Sequence, residues 1–235
     1  MSELYDRDKK GKQMKKQEVK NMQPMNVVAW VDGGLEQVTH LDATDREVLF
    51  VMSDRLTGAN IKALQSWKER LDLAGKQPFL ILACHRKGET LGPKGLFDLT
   101  VICGREEDLP LSLPAETMVD MLRGDFAEFR QRELLHPGRL VCFEHSATWT
   151  GDSKEAMDGL CHALRQEMVG AQDGSPVRIL ACATGPYDLA WDIFMRCGEA
   201  LTLKGVLDKE FLFQMHLTGR GADNRVTVRG MVGQE

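Results

Sequence analysis

Apolar residues fall into two kinds of segment along this chain, continuous runs and helical stripes. Val48–Met52 is apolar at every position, as expected of a strand covered on both faces. A helix is predicted from about Thr57, because Leu64, Trp67 and Leu71 follow at spacings of three and four while Lys62, Ser66 and Glu69 fall on the opposite side. It leads into the run Ile81-Leu82-Ala83-Cys84, a second strand. Before this unit, Asn26–Val31 and Leu35–Leu41 flank Asp32-Gly33-Gly34 and read as a hairpin.

The same alternation returns further on. Phe97–Cys103 is a strand and Leu109–Pro114 a connector. Ala115–Leu134 is a helix with Met118, Leu122, Phe126 and Phe129 on one face, closed by the breaker His136-Pro137-Gly138. Met157, Leu160 and Leu164 repeat the earlier helical stripe, and Ile179-Leu180-Ala181-Cys182 repeats the strand after it. Tyr187–Cys197 is helical. Phe211, Phe213, Met215 and Leu217 alternate with less apolar neighbours, and with Val226 and Val228 they predict a terminal hairpin.

The pattern R-x-V-x-F-x-x-S-x-x-x-T-G occurs at Arg46–Gly58 and again at Arg139–Gly151. Internal similarity of this kind bears on the fold before any local reading does. The expectation is an α/β protein of two tandem related Rossmann-like lobes, with a mainly parallel sheet and a C-terminal β-hairpin. Residues 1–24 form an arm, 25–114 the first lobe, 115–138 a linking helix and 139–235 the second lobe.

Composition narrows the class. At 235 residues, 43% hydrophobic and 28% charged, the chain can bury a core without metals or disulfides. Its six cysteines are scattered and fit free thiols, no run reaches the length of a membrane helix, and no signal-peptide pattern opens the chain, so a cytoplasmic address is expected. The net charge of −5 is uneven: residues 1–24 carry seven basic and four acidic groups, leaving −8 for the rest. That arm is read as a solvated tail, with contact to nucleic acid or another acidic surface as the alternative.

Candidate chemistry concentrates at strand ends. Ser53, Thr57 and Gly58, with Ser146, Thr150 and Gly151, lie in polar turns between an apolar strand and a helix, where α/β sheets gather ligands and helix N-termini offer unpaired N–H groups. Ser and Thr are equally ordinary helix caps, and both readings stand. Thr184, in Ala183-Thr184-Gly185-Pro186, is a further donor at a strand end, and Arg86 and Lys87 could hold a phosphate or simply face solvent. No phosphate-binding glycine loop, dinucleotide fingerprint, metal-ligand spacing or hydrolase motif is present; no catalytic residue, metal or cofactor is assigned, and the balance leans away from an enzyme.

The two S-x-x-x-T-G turns, with the stretch from Val177 to Ala190, resemble the SAVED and CARF-like domains that bind cyclic oligonucleotides in bacterial antiviral signalling. That resemblance implies a non-catalytic sensor or adaptor for a nucleotide-like or phosphorylated ligand, with a protein partner supplying the output. Two alternatives accompany it: a structural or assembly subunit of a multiprotein complex, and a crotonase-like acyl-CoA enzyme, the latter from the segment Tyr187–Ile193.

Overall fold

The computed structural model describes residues 24–31, 34–42, 46–85, 92–104, 109–122, 134–169, 177–202, 211–218 and 224–234, with side chains from residue 48 on, those of 122, 169, 177 and 234 excepted. Among the described residues nine strands form one sheet: β1 (Pro24–Val31), β2 (Gly34–Asp42), β3 (Arg46–Met52), β4 (Gln77–Cys84), β5 (Leu99–Cys103), β6 (Gly138–Thr148), β7 (Val177–Pro186), β8 (Phe211–Thr218) and β9 (Arg225–Gln234). Their order is β2-β1-β3-β4-β5-β6-β9-β7-β8. Seven strands run one way; β2 pairs antiparallel with β1, and β9 runs antiparallel between β6 and β7.

Helices cover both faces. α1 (Gly58–Leu73) starts in a reciprocal capping box in which the Thr57 hydroxyl accepts from the Asn60 N–H and the Asn60 side chain accepts from the Thr57 N–H. It stops at Gly75, whose φ of +72° suits glycine and lets Lys76 N–H reach back to the Leu71 carbonyl. Leu64 packs from α1 against Leu49, Val51, Leu80 and Leu82. The same face, further along the sheet, carries α3 (Lys154–Val169), whose Met157, Leu160 and Leu164 are all buried as their spacing predicts. Beside α3 lies a composite helix made of a 3-10 turn (Tyr187–Leu189), a short α segment (Ala190–Asp192), a π turn (Ile193–Cys197) and a last α turn (Gly198–Leu201). α2 (Leu113–Leu122) covers the opposite face, where Met118 and Met121 meet Phe50, Ile81, Val101, Leu140 and Leu180.

Two expectations need correction, and a third is described only in part. The two halves share one continuous sheet, so the tandem-lobe arrangement is not observed. β8 and β9 do not form a hairpin: β8 pairs parallel with β7, while β9 inserts between β6 and β7. β9 pairs over all ten of its residues with β6 and over eight of them with β7. The helix foreseen over Ala115–Leu134 is described only as far as Leu122; residues 123–133 lie outside the described part.

The textual repeat also takes two different forms. After β3 the chain leaves the sheet at once, and Ser53 sits in the turn. β6 instead continues through Ser146 to Thr148, because β9 pairs with it along its length. Equivalent letters therefore stand in unlike environments, and an internal duplication is unsupported.

Candidate functional site

All seven codirectional strands end on one edge of the sheet, and the polar groups there fall into two clusters. At the first, the Asp54 carboxylate accepts from the His85 N–H (2.7 Å) and meets His85 Nδ1 (2.7 Å), while His85 Nε2 lies 3.0 Å from the Leu109 carbonyl. A carbonyl can only accept, so Nε2 carries a proton. The contact ties the ends of β3 and β4 to the segment entering α2. Both Asp54 oxygens and both ring nitrogens are engaged, which suits a fixed joint.

The second cluster is a polar shelf on the α2 side of the sheet, beyond the part that α2 covers. Strand register sets Ser146, Thr227, Thr184 and His216 in one row across β6, β9, β7 and β8. Alternation accounts for it: Val226 and Val228 point into the core beneath α3, so Arg225, Thr227 and Arg229 face the other way. Ser146 Oγ and Thr227 Oγ1 are 2.8 Å apart. Arg225 donates to both, through Nη2 to Ser146 (3.1 Å) and through Nε to Thr227 (3.2 Å). His216 Nε2 donates to the Asp120 carbonyl of α2 (3.0 Å).

One row deeper, Arg229 is committed elsewhere. Its Nε donates to Glu144 (2.6 Å), and Glu116 of α2 lies 3.6 Å from Nη1. Partial burial disfavours the Arg229 charge, yet the hydrogen bond it donates to Glu144 and the nearby Glu144, Glu116 and Asp120 charges outweigh it and raise its pKa. Arg225 differs: it is exposed, and among the described residues no carboxylate pairs with it. An unneutralised guanidinium beside two hydroxyls can bind phosphate or carboxylate oxygens together with sugar hydroxyls.

The residues expected from sequence are distributed unevenly over this edge. Ser146 and Thr184 lie in the shelf, both exposed. Thr150 and Gly151 follow β6, also exposed, with Gly151 at a φ of +87°. Ser53 is buried, its hydroxyl donating to the Arg55 carbonyl and accepting from the Arg55 N–H. Thr57 caps α1 and Gly58 is that helix's first residue. Three strand spacings, about 14 Å, separate β3 from β6, so the two hydroxyl turns do not converge. Arg86 and Lys87 lie outside the described residues, as do 1–23 of the basic arm. Arg225, Thr227 and His216 escaped notice, although the alternation R-V-T-V-R already placed two of them opposite the valines.

Elsewhere, a cavity of about 320 Å³ opens at the amino-terminal edge between β4 and Leu135–Pro137. Its carboxylate, Asp98, accepts from Lys68 and from the Leu80 N–H. No cluster of potential metal ligands occurs among the described residues, and no helix among them is long and apolar enough to cross a membrane.

No family model and no curated protein matches this chain. Among solved structures, an empty FtsZ dimer from M. jannaschii aligns with a TM-score of 0.54 at 13% identity, over 80% of this chain and 63% of that one. A mutant of the same FtsZ gives 0.46 at 16% identity over 82% and 66%, and GDP-bound monomeric CetZ1 from Haloferax volcanii gives 0.38 at 12% identity over 82% and 65%. The first of these shows the fold, a mixed α/β, mostly parallel sheet of FtsZ type; the chain spans 63% of that FtsZ's length. This overturns the resemblance to SAVED and CARF-like domains, which rested on two short turns, on the stretch from Val177 to Ala190 and on tandem lobes where one continuous sheet is found. The sensor, complex-subunit and crotonase readings fall with it, and antiviral signalling, a cyclic oligonucleotide and nucleic acid lose their support.

Proposed function

We propose that this chain binds a nucleotide along the carboxyl edge of its FtsZ-like sheet, with phosphate oxygens against Arg225, Ser146 and Thr227 and the sugar toward Thr184 and His216. One observation carries the proposal: an exposed guanidinium, without a carboxylate partner among the described residues, directed at two hydroxyls at the strand ends. Open α/β sheets collect ligands at that edge, and arginine is well suited to phosphate. The M. jannaschii FtsZ of similar fold is a dimer. By that likeness, self-association of this chain is proposed as well.

Titration calorimetry with GTP, GDP, ATP and ADP, together with light scattering, tests the reading. A charge-assisted hydrogen bond contributes about 1.5–3 kcal/mol, so Arg225→Gln should weaken phosphate binding by about 10–150-fold. The fold should survive, because Arg225 is exposed and touches only hydroxyls among the described side chains. Binding that persists undiminished in Arg225→Gln, or the absence of saturable heat with all four nucleotides, rejects the proposal.

A further inference from the structure

The sheet ends at β8, and an apolar surface surrounds that edge. Beyond β8 no further strand lies among the described residues. Its sequence, F-L-F-Q-M-H-L-T, holds no Asp, Glu, Lys, Arg, Pro or Gly, and its register with β7 runs from Phe211 to Thr218 without a bulge. Open edges are ordinarily blunted by charge, proline or a bulge. The strand at the opposite edge, β2, has Glu36 and Asp42 in its sequence and a register shift against β1. On the α3 face, Tyr187, Trp191, Phe194 and Met195 of the composite helix are 54%, 72%, 48% and 47% exposed, and Leu217 of β8 is 40% exposed. Ring contacts join the helix to the edge: Trp191 with Phe194, Phe194 with Phe213 and Phe213 with Phe211, each with centroids 6.4 Å apart.

We propose that this face is a dimer interface between two copies of the chain, in which β8 pairs antiparallel with β8 of the second copy about a two-fold axis and the aromatic side chains meet across it. The inference rests on the self-association proposed above and gives it a surface. An antiparallel strand pair is its own complement under a two-fold, so one edge supplies both halves and the contact closes at two copies.

Spacing supports the fit. The composite helix sits over β7 and β8: a Cβ on Gly185 of β7 would lie 2.6 Å from Ile193 Cδ1, and one on Gly198 would lie 3.8 Å from the ring of Phe213 on β8. Two such helices, one per copy, stand two strand spacings apart across the axis, about 10 Å, the distance at which helices pack. Arg196, paired with Asp158, marks the flank that faces α3, whereas Phe194 lies over Phe213 of the edge strand. The flank toward the axis is therefore the aromatic one. Area leads to the same partner. An aromatic side chain offers about 150–250 Å², so the exposed parts of Tyr187, Trp191 and Phe194 amount to about 260–440 Å². With Met195, Leu217 and the eight-residue edge added, the face approaches the roughly 600–1,000 Å² per partner that a stable dimer buries. Asp188 and Asp192, both exposed beside the aromatics, supply a polar rim.

Sedimentation velocity of the full chain over a wide range of concentration, paired with hydrogen–deuterium exchange at both ends of that range, tests the surface. The expected result is a monomer–dimer equilibrium in which the amides of 187–195 and 211–218 gain protection as the dimer forms. Trp191→Ala should raise the dimer Kd about 30-fold or more, as for a central aromatic anchor. Leu217→Lys should weaken it as well by putting charge on the edge. Both positions are exposed, so both variants should keep the wild-type circular dichroism. Dimerisation that leaves the two segments unprotected, or that both folded variants leave intact, overturns this surface but spares self-association; the wild-type exchange decides the matter even if a variant fails to fold. A chain that stays monomeric overturns both. Protection of β8 that is independent of concentration would mean that the chain's own remaining residues cover the edge, and growth past the dimer into fibres would mean an open-ended contact; each overturns the two-fold pairing. None of these outcomes bears on nucleotide binding, which calorimetry reads separately.

Discussion

Replacing Gly230 with alanine probes how β9 holds the two parts of the sheet together. A Cβ at this position would lie 2.8 Å from Phe143 Cε1, closer still to Cζ of the same ring, and 2.9 Å from the Leu180 carbonyl oxygen. The ring belongs to β6 and the carbonyl to β7, so the added methyl presses on both neighbours of β9 at once. Phe143 is 2% exposed within the core under α3, and the Leu180 carbonyl is held in the ladder by the pairing of Leu180 with Met231. Overpacking of this kind costs about 1–3 kcal/mol, and straining one ladder hydrogen bond adds about 1 kcal/mol. The better strand propensity of alanine returns about 0.5–1 kcal/mol. A net loss of about 2–3 kcal/mol corresponds to a fall in Tm of about 4–12 °C for a chain of this length. Calorimetric melting of wild type, Gly230→Ala, Phe143→Leu and the double variant measures it. The shorter leucine should relieve part of the clash, making the double variant more stable than the sum of the singles by about 1 kcal/mol. A Gly230→Ala protein melting within about 1 °C of wild type, or strictly additive losses, would refute the reasoning.

Two further outcomes follow from the same structure. Gly159 lies inside α3 with nothing within 4 Å of its would-be Cβ, so Gly159→Ala should stabilise by about 0.5–1 kcal/mol; a lower urea midpoint in the variant would contradict the open space assigned there. Cys103 is pushed up to about 12 by burial, with Cys84 and Asp54 adding to it, against an ordinary value of 9.0. The neutral thiol is favoured only in the fold, so its contribution is complete below about pH 9 and is lost as pH climbs toward about 12. Urea midpoints measured between about pH 8 and about pH 11 should therefore fall more steeply for wild type than for Cys103→Ala; parallel slopes would show that the thiol is not the group responsible.

Much of the fold is legible in local pattern. The stripe Met157, Leu160 and Leu164 is fully buried, the continuous run Val48–Met52 is covered on both faces, and the two strands expected before it do pair antiparallel. Local pattern fails where partner choice is global. Val226 and Val228 reveal a strand and its inner face, but nothing near them in sequence says that β6 and β7, far upstream, are its neighbours. The site suffers from the same blindness. Ser146 was taken for a turn residue by analogy with Ser53, because the extension of β6 past it depends on a strand roughly eighty residues later. The Asp54–His85 contact left a fainter trace: each residue stands just past the end of one of two adjacent parallel strands, a position that brings them together once β3 and β4 pair.

The shelf therefore exists only in the completed sheet. Ser146 and Thr184 stand on β6 and β7, which do not touch each other directly; β9 lies between them and brings Thr227 into the middle of the row with Arg225 at its outer end. Without β9, the hydroxyls of β6 and β7 have no register with each other, and the core loses Val226, Val228 and Val232 as well. Closing this arrangement requires pairing across about eighty residues on the β6 side, a non-local step whose loop-closure entropy must be met before its contacts form. The same insertion that seals the hydrophobic core under α3 delivers the guanidinium to the opposite face. A chain that has not finished folding thus cannot present Arg225 to an anion in the geometry described, and an anion held there would stabilise β9 in place by mass action.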